Sequence, residues 1–450
     1  MPEMIPAESF LTASLQHTPF RDSITRILSA GIEGVNPSTA IQRAVHLDKD
    51  LLWVNGQDYD ISRYQRILLV AMGKAGVPMA EAMREILKNR IDQGIVVAKA
   101  VKEGIRGQFH FYEGGHPIPN QKSLLAGKEV IKTLSHLRQD DLVIFLISGG
   151  GSSLVSVPEE GISLDEIREL TGDLLSCGAT IEEINTLRRR WDTLKGGKLA
   201  KIAFPAQILS FILSDVMGDP LESIASGPTA PDPNTNQDAL DIINKYQLKA
   251  PSRLMEILLS GDTTVKPGDP ILNAVHNTVI ANNTTACRSA LIAADKEGFH
   301  TQLLTTRLVG EASKVAKNLS DFLIRTAKTG NPIPRPGCIV AGGETTVTLN
   351  QNPLRGGRNT ELALSAVPEL DKIPGVMLIT LATDGEDGKT DAAGAVVDGL
   401  SFQRAQAMGL NPTDSLGRHD SYTFFSHLND LVKPGTTGTN AGDLTFMFTF

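Results

Sequence analysis

The sequence predicts an α/β protein of two α/β domains, and three observations predict it. Apolar runs of strand length recur along the chain, amphipathic helical stretches alternate with them, and glycine-rich turns join one to the next. Ligands on open α/β sheets bind at the carboxyl ends of strands. Polar residues that follow each apolar run are therefore the first place to look for chemistry.

Residues 21–45 space Ile24, Ile27, Leu28 and Ile32 as a helix does, break at Asn36-Pro37 and resume, which predicts a helical hairpin. RILLVAMGKAGVPMAEAMREIL predicts a buried strand over 67–72, a Gly-Lys-Ala-Gly turn and an amphipathic helix from Val77. GIVVAKA and DLVIFLIS repeat the strand signal, so strand and helix alternate as in a parallel sheet. QILSFILSDVMGD predicts a strand over 208–213 that enters an acidic turn. Residues 228–238, PTAPDPNTNQD, gather Pro, Asn, Thr and Asp without periodicity. They form the expected linker, with domains over 1–235 and 236–450 and a hinge between them. VIANN, CIVAGGETTVTL and GVMLITLATDG supply further strands with helices between.

Composition bounds the function. A chain of 450 residues with 41% apolar content has room for large cores, and a formal charge of −8 without a Lys/Arg stripe argues against nucleic acid as a partner. The one dense basic run, Arg188, Arg189 and Arg190, is expected to be a solvated helix face. Cys177, Cys287 and Cys338 are too few and scattered for a disulfide framework or a metal site. The first residues lack a basic segment ahead of an apolar core, and no run reaches the ~20 apolar residues of a membrane span. A soluble, cytoplasmic protein without a membrane partner is expected, and a chain of this size often associates with copies of itself.

Two glycine-dense loops directly follow apolar runs, LISGGGSSL and AGGETTVTLNQNPLRGGRN, and neither holds a P-loop lysine. Glycine lets backbone N–H groups come close to a phosphate, so the pair points to phosphate handling. Gly149, Gly150, Gly151, Ser152 and Ser153 are the phosphate candidates of the first loop. Lys74 in GKAG is the leading cation, and Arg355 and Arg358 flank the paired glycines of the second loop. A guanidinium at a helix start opposes the helix dipole, which favours a functional reason for Arg358. Acidic loops contribute Asp215 and Asp219, then Asp384, Glu386, Asp387 and Asp391, then Asp443. Mg²⁺ on a nucleotide asks for one or two such carboxylates. His116, in a Gly/Pro turn, is expected to be structural, and no G-x-S-x-G elbow is present.

GKAGVPMA, GGHPIPNQKSLLAG, LISGGGSSL, GATIEEINTLRRRWDTLKGGKLA, LSDVMGDPLESIASGPTAPD, AGGETTVTL, GGRNTELAL, TDGEDGKTDAAGA and GTTGTNAGDL stand in one order from about residue 15 onward. In that order they resemble the class II glycerate kinases, which join a glycerate-kinase domain to a C-terminal domain called MOFRL. The resemblance implies a Rossmann-like three-layer parallel sheet in the N-terminal domain and an active site in the cleft between domains. It implies transfer of a phosphoryl group from ATP to the 2-hydroxyl of D-glycerate with Mg²⁺ present. It also implies active-site roles for Lys74 and Arg358. Glu344, at a carboxyl strand end, and Asn185, Lys195 and Asn359 join the substrate and phosphate candidates. Asp215 is the expected base, and some subset of Asp215, Asp384, Asp387 and Asp443 the expected metal ligands. Arg358 would hold the glycerate carboxylate or the moving phosphoryl group. The chain departs from the family pattern at Arg190, Trp191 and Asp192, a neighbourhood expected to influence substrate preference, and at Asn120. The rival enzyme class is a nicotinamide-dependent hydroxypyruvate reductase, whose dinucleotide fingerprint neither glycine loop completes. The other rival is a metabolite-binding protein without turnover.

Overall fold

The structure, a computed structural model, describes residues 5–450. The chain divides into two compact units: Ala40–Ile280, and Ala281–Phe450 together with the chain up to Thr39. The boundary therefore lies far from residue 235. The reason is burial: in the segment read as a linker, Thr229, Ala230 and Asp232 are at most 2% exposed. Asp232 is the counter-ion of Arg189 (Nε–Oδ1 2.8 Å) and Arg190 (Nη1–Oδ2 2.6 Å), and its amide donates to Val265 O at 2.8 Å. A segment clamped this way is part of the core and does not serve as a hinge.

In the unit Ala40–Ile280 a seven-stranded sheet runs in the order Val275–Ala281, Gln207–Leu213, Asp141–Ser148, Arg66–Met72, Gln93–Ala98, Phe109–Glu113, Gly104–Arg106. Pairings from Gln207–Leu213 through Phe109–Glu113 are parallel, and the edge strand Gly104–Arg106 is antiparallel. All eight residues of Asp141–Ser148 are buried, as expected of a central parallel strand covered on both faces. One face packs Leu68, Val70, Val143 and Phe145 against Val130 and Leu134 of the helix Gln121–Leu134. That helix begins at Asn120, whose side chain accepts from Ser123 N at 3.0 Å, so the departure at Asn120 keeps a capping oxygen.

The run 188–190 is not a solvated face. Arg189 and Arg190 are 2% and 0% exposed, and Trp191 fills a helical core with Ile184, Leu187, Ile243 and Leu254. Asp192 is buried too, accepting from Ser156 Oγ at 2.6 Å and Leu194 N at 2.9 Å. The unusual Arg190-Trp191-Asp192 segment thus holds the fold together.

The other unit is built on a six-stranded mixed sheet, ordered His300–Leu308, Gly337–Gly343, Asp443–Thr449, Val376–Ala382, Gly394–Asp398, Leu431–Val432. Asp443–Thr449, absent from the sequence reading, inserts antiparallel between Gly337–Gly343 and Val376–Ala382. Its residues are all buried, and Phe446 and Phe448 stack in register. The expected helices at the start of the chain form as Arg21–Glu33 and Pro37–Ala44, with the Asn36 side chain accepting from the Ser38 and Thr39 amides. Among the described residues, no helix is long and apolar enough to cross a membrane.

Removing one partner of a fully buried ion set leaves its charges uncompensated, at about 3–5 kcal/mol. Asp232→Ala is predicted to destabilise the protein by about that much in urea unfolding, with the loss confined to the transition of the Ala40–Ile280 unit. A change below about 1 kcal/mol would contradict the buried clamp.

Candidate active site

The strands Arg66–Met72 and Asp141–Ser148 are parallel neighbours, and two backbone amides of the first loop hydrogen-bond to the end of the second strand and its loop. Lys74 N donates to Gly149 O at 2.9 Å and Ala75 N to Ser148 Oγ at 3.0 Å. Gly73, at φ +121°, permits this: a Cβ there would lie 2.2 Å from Ser148 Oγ and 2.5 Å from its carbonyl oxygen. With no side chains on the next loop, other groups come directly onto its backbone. A Cβ on Gly149 would fall 1.8 Å from Asp215 Oδ2, and one on Gly150 would fall 2.9 Å from the His116 ring and 3.5 Å from Lys74 Cγ. Lys74, His116 and Asp215 therefore converge on one glycine pair.

His116 is thus brought to the site, although its sequence context suggested a structural role. Burial, then the nearby positive charges of Lys74 and Lys99, hold its pKa below the usual histidine value, so the ring is neutral at physiological pH. Its signal in the sequence was GGHP, where flanking glycines admit close approach.

Ser152 and Ser153 follow in a single helical turn, Gly151–Leu154, rather than in a long helix. The amides of Ser153 and Leu154 both donate to Gly150 O at 3.2 Å. Ser152 Oγ lies 2.8 Å from Ser226 Oγ, which donates to Asn185 Oδ1 at 3.0 Å. Ala225 and Ser226 both adopt left-handed backbone, at φ 51° and 62°, a strain found where geometry serves a site. Ser226 was not among the expected site residues. Lys195, which was, is wholly buried and its ammonium donates to Val155 O, so it faces the interior instead of a ligand.

In the other unit Arg358 opens the helix Arg358–Ala366. Its charge, adverse at that end, is offset by Asp443, which accepts from Nε at 2.5 Å and Nη2 at 3.1 Å, and by Glu344, which accepts from Nη1 at 2.5 Å. These carboxylates raise the arginine pKa against the opposing effect of burial. Asn359 and Thr360 donate their amides to Asp387 at 3.0 and 2.8 Å, and Thr360 Oγ1 donates to the same carboxylate at 2.7 Å. Burial nevertheless pushes the Asp387 pKa up to about 6. Burial also raises Asp443, with Arg358 opposing. A cavity of about 690 Å³, within the size range of ligand pockets, is lined by Glu344, Thr345, Leu349, Arg355, Arg358 and Glu361 among others.

Of the carboxylates from which the metal ligands were expected, Asp215 belongs to the Ala40–Ile280 unit, and Asp384, Asp387 and Asp443 belong to the other. Among the described residues, no group of three or more His, Cys, Asp or Glu side chains is placed to hold a metal ion. Asp387 caps a helix with both oxygens, and Asp443 gives both to Arg358. Asp384 Oδ1 accepts from Glu386 N at 3.2 Å, in a loop that Thr383 ties to Ala441 and Gly442. Asp384 and Asp443 are near enough for one charge to raise the pKa of the other. A nucleotide-bound Mg²⁺ asks for as little as one protein carboxylate, a demand that Asp384 fits.

A domain of unknown function, DUF4147, matches residues 23–259, and the MOFRL family matches residues 337–443. D-glycerate 2-kinase of Thermotoga maritima is 41% identical over 380 residues, 84% of this chain and 89% of that protein. The chain belongs to the glycerate kinase family. A relative from Agrobacterium vitis, named a putative hydroxypyruvate reductase, is 38% identical over 84% of this chain and 86% of its own length. The crystal structure of glycerate kinase from Thermotoga maritima matches with a TM-score of 0.84 at 37% identity, covering 94% of this chain and 98% of that one. Lys74, His116, Gly149 and Asp215 fall in the first matched segment of this glycerate kinase family member, and Glu344, Arg358, Asp384, Asp387 and Asp443 in the second.

Asp387 has a folded pKa of about 6 against 3.8 for the free side chain. The folded protein therefore holds this proton more tightly, a stabilisation present below the unfolded pKa and lost as pH rises through the folded one. The shift corresponds to about 3 kcal/mol. Relative to Asp387→Asn, the parent is predicted to lose stability by about that amount between about pH 4 and pH 7, measured by urea unfolding at each pH. Parallel curves for parent and variant would refute the burial argument.

Proposed function

We propose that this chain transfers the γ-phosphoryl group of ATP to the 2-hydroxyl of D-glycerate, giving 2-phospho-D-glycerate and ADP. The observation that carries the proposal is the convergence of a cation, a neutral imidazole and a carboxylate on Gly149 and Gly150, at the carboxyl ends of parallel strands. The activity named for the Thermotoga relative supports it.

Phosphoryl transfer needs positioning and charge neutralisation more than covalent help. Lys74, on a turn fixed to the glycine loop, supplies positive charge to the phosphates. Asp215 accepts the proton of the attacking hydroxyl, whose oxygen forms the new P–O bond as the bond from the γ-phosphorus to the bridging oxygen of ADP breaks. His116, uncharged, donates or accepts a hydrogen bond without adding to the positive charge. Arg358, held in place by Asp443 and Glu344, stabilises charge on the moving phosphoryl group. Mg²⁺ would be held by Asp384 with the nucleotide's own oxygens, and would neutralise phosphate charge.

Lys74→Ala and Arg358→Ala are each predicted to lower kcat/KM by about a hundredfold or more, equal to ~2.7 kcal/mol of transition-state stabilisation. Near-normal turnover by a folded Lys74→Ala protein would remove that lysine from the mechanism. Gly149→Ala forces the Asp215 carboxylate off the loop. Since that carboxylate is the end of a flexible side chain, the variant should lose at least about tenfold in kcat while its stability changes by less than about 1 kcal/mol. Equal kcat would show that Asp215 does not act from this position.

The relative named a putative hydroxypyruvate reductase keeps a second reading open. Oxidation of NADH by the purified protein with hydroxypyruvate, and no ADP from Mg-ATP with D-glycerate, would favour it.

A further inference from the structure

Arg188 is a crowded cation that the mechanism above does not use. Its neighbours are matched: Arg189 and Arg190 pair with Asp232, and Lys198 pairs with Glu159 at 2.6 Å. Among the described residues, Arg188 has no carboxylate within ion-pair distance, and its guanidinium donates to the neutral Asn185 Oδ1 at 2.9 Å. Asp192, the carboxylate whose charge it feels, is engaged with Ser156 and Leu194. Burial lowers the Arg188 pKa to about 10, so the group stays charged at neutral pH with no counter-ion at hand. The residue as a whole is of intermediate exposure, so this largely desolvated guanidinium is not sealed from solvent. A desolvated charge without a partner is costly, and an anion from solution removes that cost.

The position of this unmatched charge gives it a use. Asn185 Oδ1, which holds Arg188, also accepts from Ser226 Oγ at 3.0 Å, and Ser226 Oγ lies 2.8 Å from Ser152 Oγ. Ser152 belongs to the loop on which Lys74, His116 and Asp215 converge. Within this unit one hydrogen-bonded chain runs from Arg188 to that loop, and the left-handed backbone at Ala225 and Ser226 holds its middle member.

We infer that Arg188, oriented by Asn185 and flanked by Ser226, is the seat of the substrate carboxylate. A monoanionic carboxylate is matched by one planar guanidinium, whereas a phosphate dianion draws further cations. The nearby Lys195 is turned away, onto Val155 O. The inference rests on the kinase reading for the identity of the acid, D-glycerate.

Calorimetric binding of D-glycerate without nucleotide tests it on the parent, on Arg188→Met and on Asn185→Asp. The second variant places an internal carboxylate against Arg188, so it should melt no lower than the parent and yet lose the ligand. Both variants are predicted to bind D-glycerate about ten- to hundredfold more weakly. Affinity within about twofold of the parent in folded Asn185→Asp or Arg188→Met protein overturns the assignment. Binding that depends on Arg188, in a parent that releases no ADP, would sink the kinase reading and leave the carboxylate seat standing. ADP release by a parent whose glycerate binding ignores Arg188 would do the reverse.

Discussion

Everything proposed for the Ala40–Ile280 unit depends on the close contact between two strand ends, where Lys74 N donates to the main-chain Gly149 O and Ala75 N to the Ser148 hydroxyl. Parallel strands sit side by side at a fixed spacing, so their terminal loops touch only if side chains are absent between them. Gly73 and Gly149 meet that condition. Having met it, the chain can lay a carboxylate, an imidazole and the stem of a lysine on bare backbone, with each group anchored by a different segment. Such rigidity on strand ends, more than any single charge, lets a protein hold reacting groups in place.

Buried charge is the second constraint. The helix Ile181–Trp191 carries three consecutive arginines in its last turn, and two of them reach a carboxylate in the segment 228–238. The arrangement fastens that segment to the helix and explains why a stretch rich in Pro and Asn is interior. In the other unit Arg358 is balanced by Asp443 and Glu344, while Asp387 uses its oxygens as a helix cap. Charge is thus distributed by local partners, and a carboxylate near the site is not by that fact a metal ligand.

Much of this was legible in the sequence where the physics is local. The strand predicted over 141–148 forms as Asp141–Ser148, and the turn at GKAG stands where a buried run meets an amphipathic helix. The rule that sites lie at carboxyl strand ends selected Lys74, Gly149 and Asp215, which the fold does bring together. Long-range pairing was not legible. The burial of Arg189 and Arg190 depends on Asp232, about forty residues away, and without that partner a basic run reads as solvated. Asp443–Thr449 was hidden because the glycine-rich loop before it drew attention to ligands, while its own alternation of Phe446 and Phe448 with Thr445 and Thr449 signals a strand. Asp387 and Lys195 could not be told from ligand-binding groups, since most of what holds them, the amides of Asn359 and Thr360 and the carbonyl of Val155, is main chain.

The central claim is a reaction at one hydroxyl of one acid. Purified protein supplied with Mg-ATP and D-glycerate should release ADP, and the product should be consumed by added enolase without phosphoglycerate mutase. Consumption by enolase alone is the predicted result, because it identifies phosphate on the 2-hydroxyl. A product that enolase consumes only after mutase is added would contradict the account at the position of transfer.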